Sequence, residues 1–149
     1  MTPFAPPTEP MPDSYITEVP QVLARFTIPG NPRPKGRPRH GRGFTFTPKG
    51  TVIAEKSVLA AFNATYPHWE PIGIAVKLEL RANFYRDSRI RVDTDNLAKL
   101  VQDALNKHAF VDDVQVFDLI GRKWFTSKGR GRTEVVITRI DGDRVEVAL

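Results

Sequence analysis

Four aspartates in two short stretches of the chain have the chemistry of a metal site. Asp93 and Asp95 are separated by one residue, and Asp112 and Asp113 are adjacent. Grouped carboxylates repel one another unless protons or a cation neutralise them. Mg²⁺ is a hard cation that prefers oxygen ligands and keeps water molecules for chemistry. If the helix between the two stretches packs back on a sheet, we expect all four carboxylates to meet at one sheet edge.

Each part of this pattern also has an ordinary structural explanation. Asp95 or Thr94 could cap a helix, and adjacent aspartates are common in turns. Lys99 could form surface ion pairs with Asp95 and Asp103, at a spacing of four residues in each direction. The combination favours a functional site, because Asp-x-Asp-Asn-Leu, a lysine and Asp-Asp-x-Gln-Val after one helix rarely occur together by chance.

The chain has a formal net charge of +5, and its positive residues are concentrated in a few segments. From Arg25 to Lys49 every charged side chain is positive. Prolines stiffen this segment, and its glycines leave room for a phosphate backbone to approach. We favour DNA contact over a solvated basic loop. The candidate DNA-binding residues are Arg33, Lys35, Arg37, Arg39, Arg42, Arg89, Arg91, Lys128 and Arg130.

Hydrophobic patterning predicts the elements that would position these residues. Strands are predicted at 23–28, 72–84, 114–125 and 132–140, and helices after Thr47 and over 95–107. Thr47 is predicted to cap the first helix, with Pro48 as its first residue. Phe44 and Phe46 alternate as in a strand, and we expect them to pack in the core. This order of elements indicates an α+β fold with a mixed β-sheet and two main helices packed on it.

Length and composition further limit the domain organisation and the class of protein. The length of 149 residues predicts one domain over 21–149, after a proline-rich tail over 1–20 that we expect to be disordered. The absence of cysteine excludes disulfides, zinc–thiolate sites and thiol nucleophiles. No apolar run is long enough to span a membrane, and no signal peptide is evident. We therefore expect a cytoplasmic protein, bacterial or in a phage-infected host, with no membrane partner.

The acidic stretches carry a specific resemblance to a known family. The run Asp93-Thr-Asp95-Asn96-Leu97-Ala-Lys99, followed by Asp103-Ala-Leu105 and Phe110-Val-Asp112-Asp113-Val-Gln115-Val116, resembles the signature of the RusA family of Holliday junction resolvases. The similarity also includes Pro32-x-Pro34-Lys35-Gly36-Arg37-Pro38-Arg39 and extends to the strand at 132–140. It implies a RusA-like homodimer that binds four-way DNA junctions and nicks two strands symmetrically, in recombination and repair.

The resemblance also implies roles for the site residues. It places the catalytic aspartates at Asp93, Asp95 and Asp113 and the catalytic lysine at Lys99. Mg²⁺, for which Mn²⁺ could substitute, would be held by these aspartates, with Asp112 as a further ligand or support. Lys99 would bind the scissile phosphate as a compact point charge.

Three other functions compete with junction resolution. One is a phage nuclease of broader substrate specificity that cleaves branched or flap DNA, and another is a non-catalytic basic DNA-binding module. A transferase that holds a nucleotide diphosphate through Asp-x-Asp is disfavoured, because no phosphate-cradling glycine loop is evident.

Overall fold

The computed structural model describes residues 21–148, so the predicted tail over 1–20 lies outside the described residues. Its elements in chain order are β1 (Gln21–Pro29), β2 (Arg39–Gly41), β3 (Phe44–Phe46), α1 (Lys49–Thr65), β4 (Lys77–Arg86), α2 (Thr94–Leu105), a 3-10 turn (Asp113–Gln115), β5 (Val116–Phe125) and β6 (Arg132–Ile140). The predicted α+β fold with two main helices is confirmed. No helix within this part of the chain is long and apolar enough to cross a membrane.

The main sheet has four strands in the order β1-β6-β4-β5. β4 is parallel to β5 and antiparallel to β6, which in turn is antiparallel to β1. Strand β4, helix α2 and strand β5 therefore form a β-α-β unit, in which the helix returns the chain to the end where β4 began. Strands β2 and β3 form a separate hairpin.

Alternation along β4 determines which face of the sheet is buried. Leu78, Leu80, Ala82 and Phe84 are at most 1% exposed, whereas the residues between them are half-buried. The apolar stripe of α2 contributes to the same core, as do buried residues of α1. Each fully buried leucine or phenylalanine stabilises the fold by about 1.5–3 kcal/mol, so this face holds α2 firmly against β4 and β5.

Several element boundaries differ from those predicted, among them those of β4 and of both helices. β4 begins at Lys77 rather than at position 72, because Ile72 instead forms a bridge with Phe110. α1 begins at Lys49 with Pro48 at the cap, and no side chain caps this helix. α2 ends at Leu105 rather than at position 107, where Lys107 adopts a φ of 68° that a right-handed helix cannot accommodate.

Candidate nucleic-acid interface and metal centre

Asp93 and Asp95 lie at the start of α2, beside the carboxyl end of β4. Asp93 occupies the cap position, but its side chain makes no capping hydrogen bond, and both residues are exposed. Their nearest hydrogen-bond partner is Asn96, whose backbone N–H donates to Asp95 Oδ1 at 3.0 Å and whose side chain lies 3.5 Å from Asp93 Oδ2. The positive end of the helix dipole favours negative charge here. Within residues 21–148 no lysine or arginine pairs with either carboxylate, so both are available for a cation.

Gly121 of β5 allows α2 to approach the sheet closely at this end. A Cβ atom on Gly121 would lie 3.1 Å from Thr94 Cγ2 and 3.3 Å from Ala98 Cβ. Nearby, Lys123 Nζ donates a hydrogen bond to the Val92 carbonyl at 2.9 Å. The Asp93–Asp95 stretch is therefore held against the second half of β5.

Asp112 and Asp113 lie in a tight turn just before β5. The Asp112 side chain accepts a hydrogen bond from the Val114 N–H at 3.2 Å and caps the 3-10 turn. That bond is the main reason why the pKa of the Asp112 carboxyl is lowered. The turn explanation for the paired aspartates therefore holds for Asp112. Asp113 is left as the carboxylate of this pair that is not used in capping.

A single chain does not bring the two acidic stretches together. No group of three or more acidic, histidine or cysteine side chains within residues 21–148 could hold a metal ion. The twelve residues of α2 rise by about 18 Å between the two stretches. The expectation that all four carboxylates meet at one sheet edge is thus wrong for one chain. Because β4 and β5 are parallel, the end of β4 and the start of β5 lie at opposite ends of the sheet.

Lys99 lies one turn into α2, and its ammonium is directed toward the next turn of the helix. Lys99 Nζ is 3.9 Å from Asp103 Oδ1, and Lys99 remains exposed. The ordinary structural explanation for Lys99 therefore holds for Asp103. No pair with Asp95 forms among the described residues. Within residues 21–148, Lys99 is therefore held by one weak ion pair.

Lys35 and Gly36 join the basic segment to the two helices, Lys35 to α2 and Gly36 to α1. Its ammonium forms a half-buried ion pair with Asp103, and its backbone N–H donates to the Asn96 carbonyl at 3.1 Å. The neighbouring Gly36 N–H donates to Thr51 Oγ1 at 2.8 Å. Burial raises the pKa of the nearby Glu55 carboxyl, an effect that Lys35 opposes. We predicted Lys35 as a DNA contact, but in the structure its side chain and backbone bind residues of α2.

The remaining positive residues of this segment face solvent. Arg33, Arg37, Arg39 and Arg42 are exposed, with Arg39 and Arg42 in or beside the β2–β3 hairpin. Phe44 and Phe46 of this hairpin are 61% and 43% exposed, so the prediction that they pack in the core is wrong. Their rings contact each other with centroids 5.8 Å apart. The hairpin stands apart from the main sheet, and alternation alone could not distinguish it from a core strand.

Asp87 ties three loops together at the end of the sheet that carries Asp93. Its backbone N–H donates to Asn31 Oδ1 at 3.0 Å, and its carboxylate accepts a hydrogen bond from the Gly129 N–H at 3.1 Å. The basic segment and the 127–131 loop are thereby joined to the turn after β4. Asp87 and Asn31 could not be identified from the sequence, because neither residue stands in a motif and their contacts join distant parts of the chain.

These loops carry the other predicted DNA contacts. Arg91, Lys128 and Arg130 are exposed. Arg89 is also exposed, and its guanidinium lies 4.5 Å from the centroid of the Phe125 ring. All the predicted DNA-binding residues therefore lie on segments that begin at the end of the sheet occupied by Asp93 and Asp95.

Comparison with known proteins identifies the family. The family model for "Endodeoxyribonuclease RusA" matches residues 29–138. The chain belongs to the RusA family. It is 34% identical over 120 residues to proteins named crossover junction endodeoxyribonuclease RusA from Shigella sonnei (strain Ss046) and Escherichia coli (strain K12), matches that cover 79% of this chain and 96% of each relative. The protein of the same name from Enterobacteria phage 82 is 32% identical over 119 residues, again with 79% and 96% covered.

Arg37 and Lys35 both lie in the basic segment, but their replacement by alanine is expected to have different effects. Arg37→Ala is expected to weaken DNA binding and to lower the slope of log K against log salt by about 0.9, because one exposed phosphate contact is lost. Lys35→Ala is expected to lower the melting temperature and to leave that slope nearly unchanged, since the ammonium pairs with Asp103. Binding titrations at several salt concentrations, with thermal melts, test both. Equal salt slopes in Arg37→Ala and the unaltered protein would remove Arg37 from the DNA interface.

Proposed function

We propose that this protein is a metal-dependent, structure-specific endodeoxyribonuclease that resolves four-way DNA junctions by paired symmetric nicks, in recombination and repair. The observation that carries the proposal is a pair of exposed carboxylates, Asp93 and Asp95, at the end of the sheet where the exposed arginine loops begin. No lysine or arginine of residues 21–148 forms an ion pair with either of them. The names of its relatives as crossover junction endodeoxyribonucleases support the same activity. We propose Mg²⁺ as the cofactor, with Mn²⁺ as a substitute.

Asp93 and Asp95 provide only part of a metal site, and we propose that a homodimer completes it. β5 is an edge strand of the sheet, and in the described chain it pairs with β4 alone. It exposes four large apolar side chains: Phe117, Leu119, Trp124 and Phe125. Val111 and Val114, which flank the Asp112–Asp113 turn, are exposed as well. An exposed apolar edge strand is a ready surface for pairing with another chain.

Antiparallel pairing of β5 with β5 of a second copy would bring the separated acids together. In such a two-fold arrangement, the start of one β5 lies beside the end of the other. Asp113 precedes the start of β5, and Asp93 is held against its second half through Gly121 and Lys123. Asp113 of the second copy would therefore lie near Asp93 and Asp95. The dimer would contain two such composite sites, one for each of two DNA strands.

Each residue then has a distinct task at the phosphodiester. A bound divalent cation would supply charge neutralisation and a more acidic water molecule. Asp93 and Asp95 would bind it together with Asp113 of the second copy, since carboxylate oxygens are the ligands that Mg²⁺ prefers. Lys99 would turn from Asp103 to the scissile phosphate and stabilise negative charge there. The exposed arginines would hold the DNA arms through their phosphates.

Cleavage of defined substrates tests this proposal. The purified protein is incubated with a labelled four-way junction, a flap and a linear duplex, with and without Mg²⁺. We expect Mg²⁺-dependent, symmetric nicks in the junction and little cleavage of the linear duplex. Equal cleavage of flap and junction would favour the broader branched-DNA nuclease. Junction binding without any metal-dependent nicking would favour the non-catalytic DNA-binding module.

A further inference from the structure

Gln115 is a buried polar side chain that connects the Asp112–Asp113 turn to the segment before β4. It is only 2% exposed. Its side-chain Nε2 donates to the backbone carbonyls of Ile72, Gly73 and Val76, at 3.2, 2.7 and 3.1 Å. Its Oε1 accepts a hydrogen bond from the backbone N–H of Asp112 at 3.0 Å. Both ends of the amide thus form hydrogen bonds with the backbone, and the two N–H groups are shared among three carbonyls.

These contacts hold the backbone on both sides of Asp113. On one side, the Asp112 N–H is bound by the Gln115 side chain. On the other side, the Val114 N–H is bound by the Asp112 carboxylate. Gln115 also binds the 72–76 segment, so the turn is connected to the residues that lead directly into β4. The Asp113 backbone is therefore attached to the segment immediately before β4, a strand with one fully buried face.

We propose that Gln115 is a positioning residue for the Asp113 carboxylate. The inference rests on the proposed function, in which Asp113 projects from this turn into the metal site of a second copy. A carboxylate that must coordinate a cation across a subunit boundary needs a rigid backbone, because small displacements of a ligand lower metal affinity. Gln115 touches neither the metal nor the DNA in this account, and it acts only through the turn.

The test compares Gln115→Met with Tyr66→Phe. Methionine keeps similar volume and removes every hydrogen bond of the amide. Tyr66→Phe is the control, because it removes two hydrogen bonds between its hydroxyl group and the backbone of Arg25, away from the acidic turn. For each protein we measure the Mg²⁺ concentration at half-maximal cleavage, the Mg²⁺ concentration at half-maximal rise in melting temperature, and junction affinity without metal.

For Gln115→Met we expect both Mg²⁺ midpoints to rise by about 10–100-fold, with metal-free junction affinity unchanged. Tyr66→Phe should lower the melting temperature and leave both midpoints at their original values. The positioning role would be overturned if Gln115→Met lowered the melting temperature as Tyr66→Phe does but left both Mg²⁺ midpoints unchanged. An unaltered protein that neither cleaves junctions nor is stabilised by Mg²⁺ would instead overturn the proposed function.

Substitutions of Asp112 provide a second test should Gln115→Met fail to fold. Asp112→Ser keeps an oxygen that can cap the turn, whereas Asp112→Ala removes it. If the network positions Asp113, the Mg²⁺ midpoints should rise by about tenfold more in Asp112→Ala than in Asp112→Ser. Equal midpoints in Asp112→Ala and the unaltered protein would contradict the positioning role. An equal rise in both variants would also contradict it, since it would identify Asp112 as a direct ligand.

Discussion

Asp93→Asn is expected to lower the rate of junction cleavage by about 10³-fold, while junction affinity without metal changes by no more than about twofold. Asparagine keeps the volume of the side chain but removes the charge that attracts the cation. The exposed arginines proposed to hold DNA are separate residues, so we expect DNA binding to continue. The effect on folding should be small, because asparagine is also a good cap at the start of a helix.

Cleavage and gel-shift assays on the same preparation measure both quantities. Asp141→Asn is a suitable control, because Asp141 is an exposed aspartate that pairs with Arg139 at 3.2 Å, after the end of β6. It should retain full cleavage. Loss of junction affinity in parallel with cleavage in Asp93→Asn would show that the carboxylate supports DNA binding, contrary to the division of roles proposed above.

Leu119→Lys is expected to dissociate the proposed dimer and to abolish cleavage. Leu119 is 42% exposed on the edge strand β5, and a two-fold arrangement would bring the two introduced charges close together. Like charges placed together at an interface cost several kcal/mol, which corresponds to roughly a 10²-fold or larger weakening of the dimer. In the proposed composite site Asp113 comes from a second copy, so a monomer would have no complete site.

Light scattering at several protein concentrations, alongside cleavage assays, measures the effect. Val22→Lys is the matched control, because Val22 is 44% exposed and lies on β1, the opposite edge of the same sheet. It should remain dimeric and active. A Leu119→Lys protein that stays dimeric with full cleavage would exclude β5 as the interface.

The sequence predicts the sheet better than it predicts the site. Strict alternation from Leu78 to Phe84 identifies β4, because a strand with one buried face leaves a two-residue period. The start of β4 could not be predicted in this way, because Ile72 continues the alternation while its backbone pairs with Phe110. Which residues neighbour a strand end depends on contacts between distant segments, and a periodic pattern carries no information about them.

The acidic residues illustrate the same limit. Their types and spacing indicate a metal site, but whether Asp93 and Asp113 lie close together in one chain depends on the direction of β5 relative to β4. Parallel pairing separates them within one chain. The basic residues around Lys35 predict a DNA contact. Its ammonium instead pairs with Asp103, which is 68 positions away in sequence. Gln115 belongs to the Asp-Asp-x-Gln-Val motif. The positioning role proposed for it rests on backbone carbonyls far away in sequence, which the motif does not show.

Mixed dimers test the composite site most directly. Asp93→Asn and Asp113→Asn chains are co-expressed with different affinity tags, and dimers that contain one of each are purified. Each homodimer should be inactive. In the mixed dimer, one composite site would carry both substitutions and the other would carry neither, so we predict restored nicking of one strand per junction. A mixed dimer as inactive as the two homodimers would contradict the account, because it would place each complete site within a single chain.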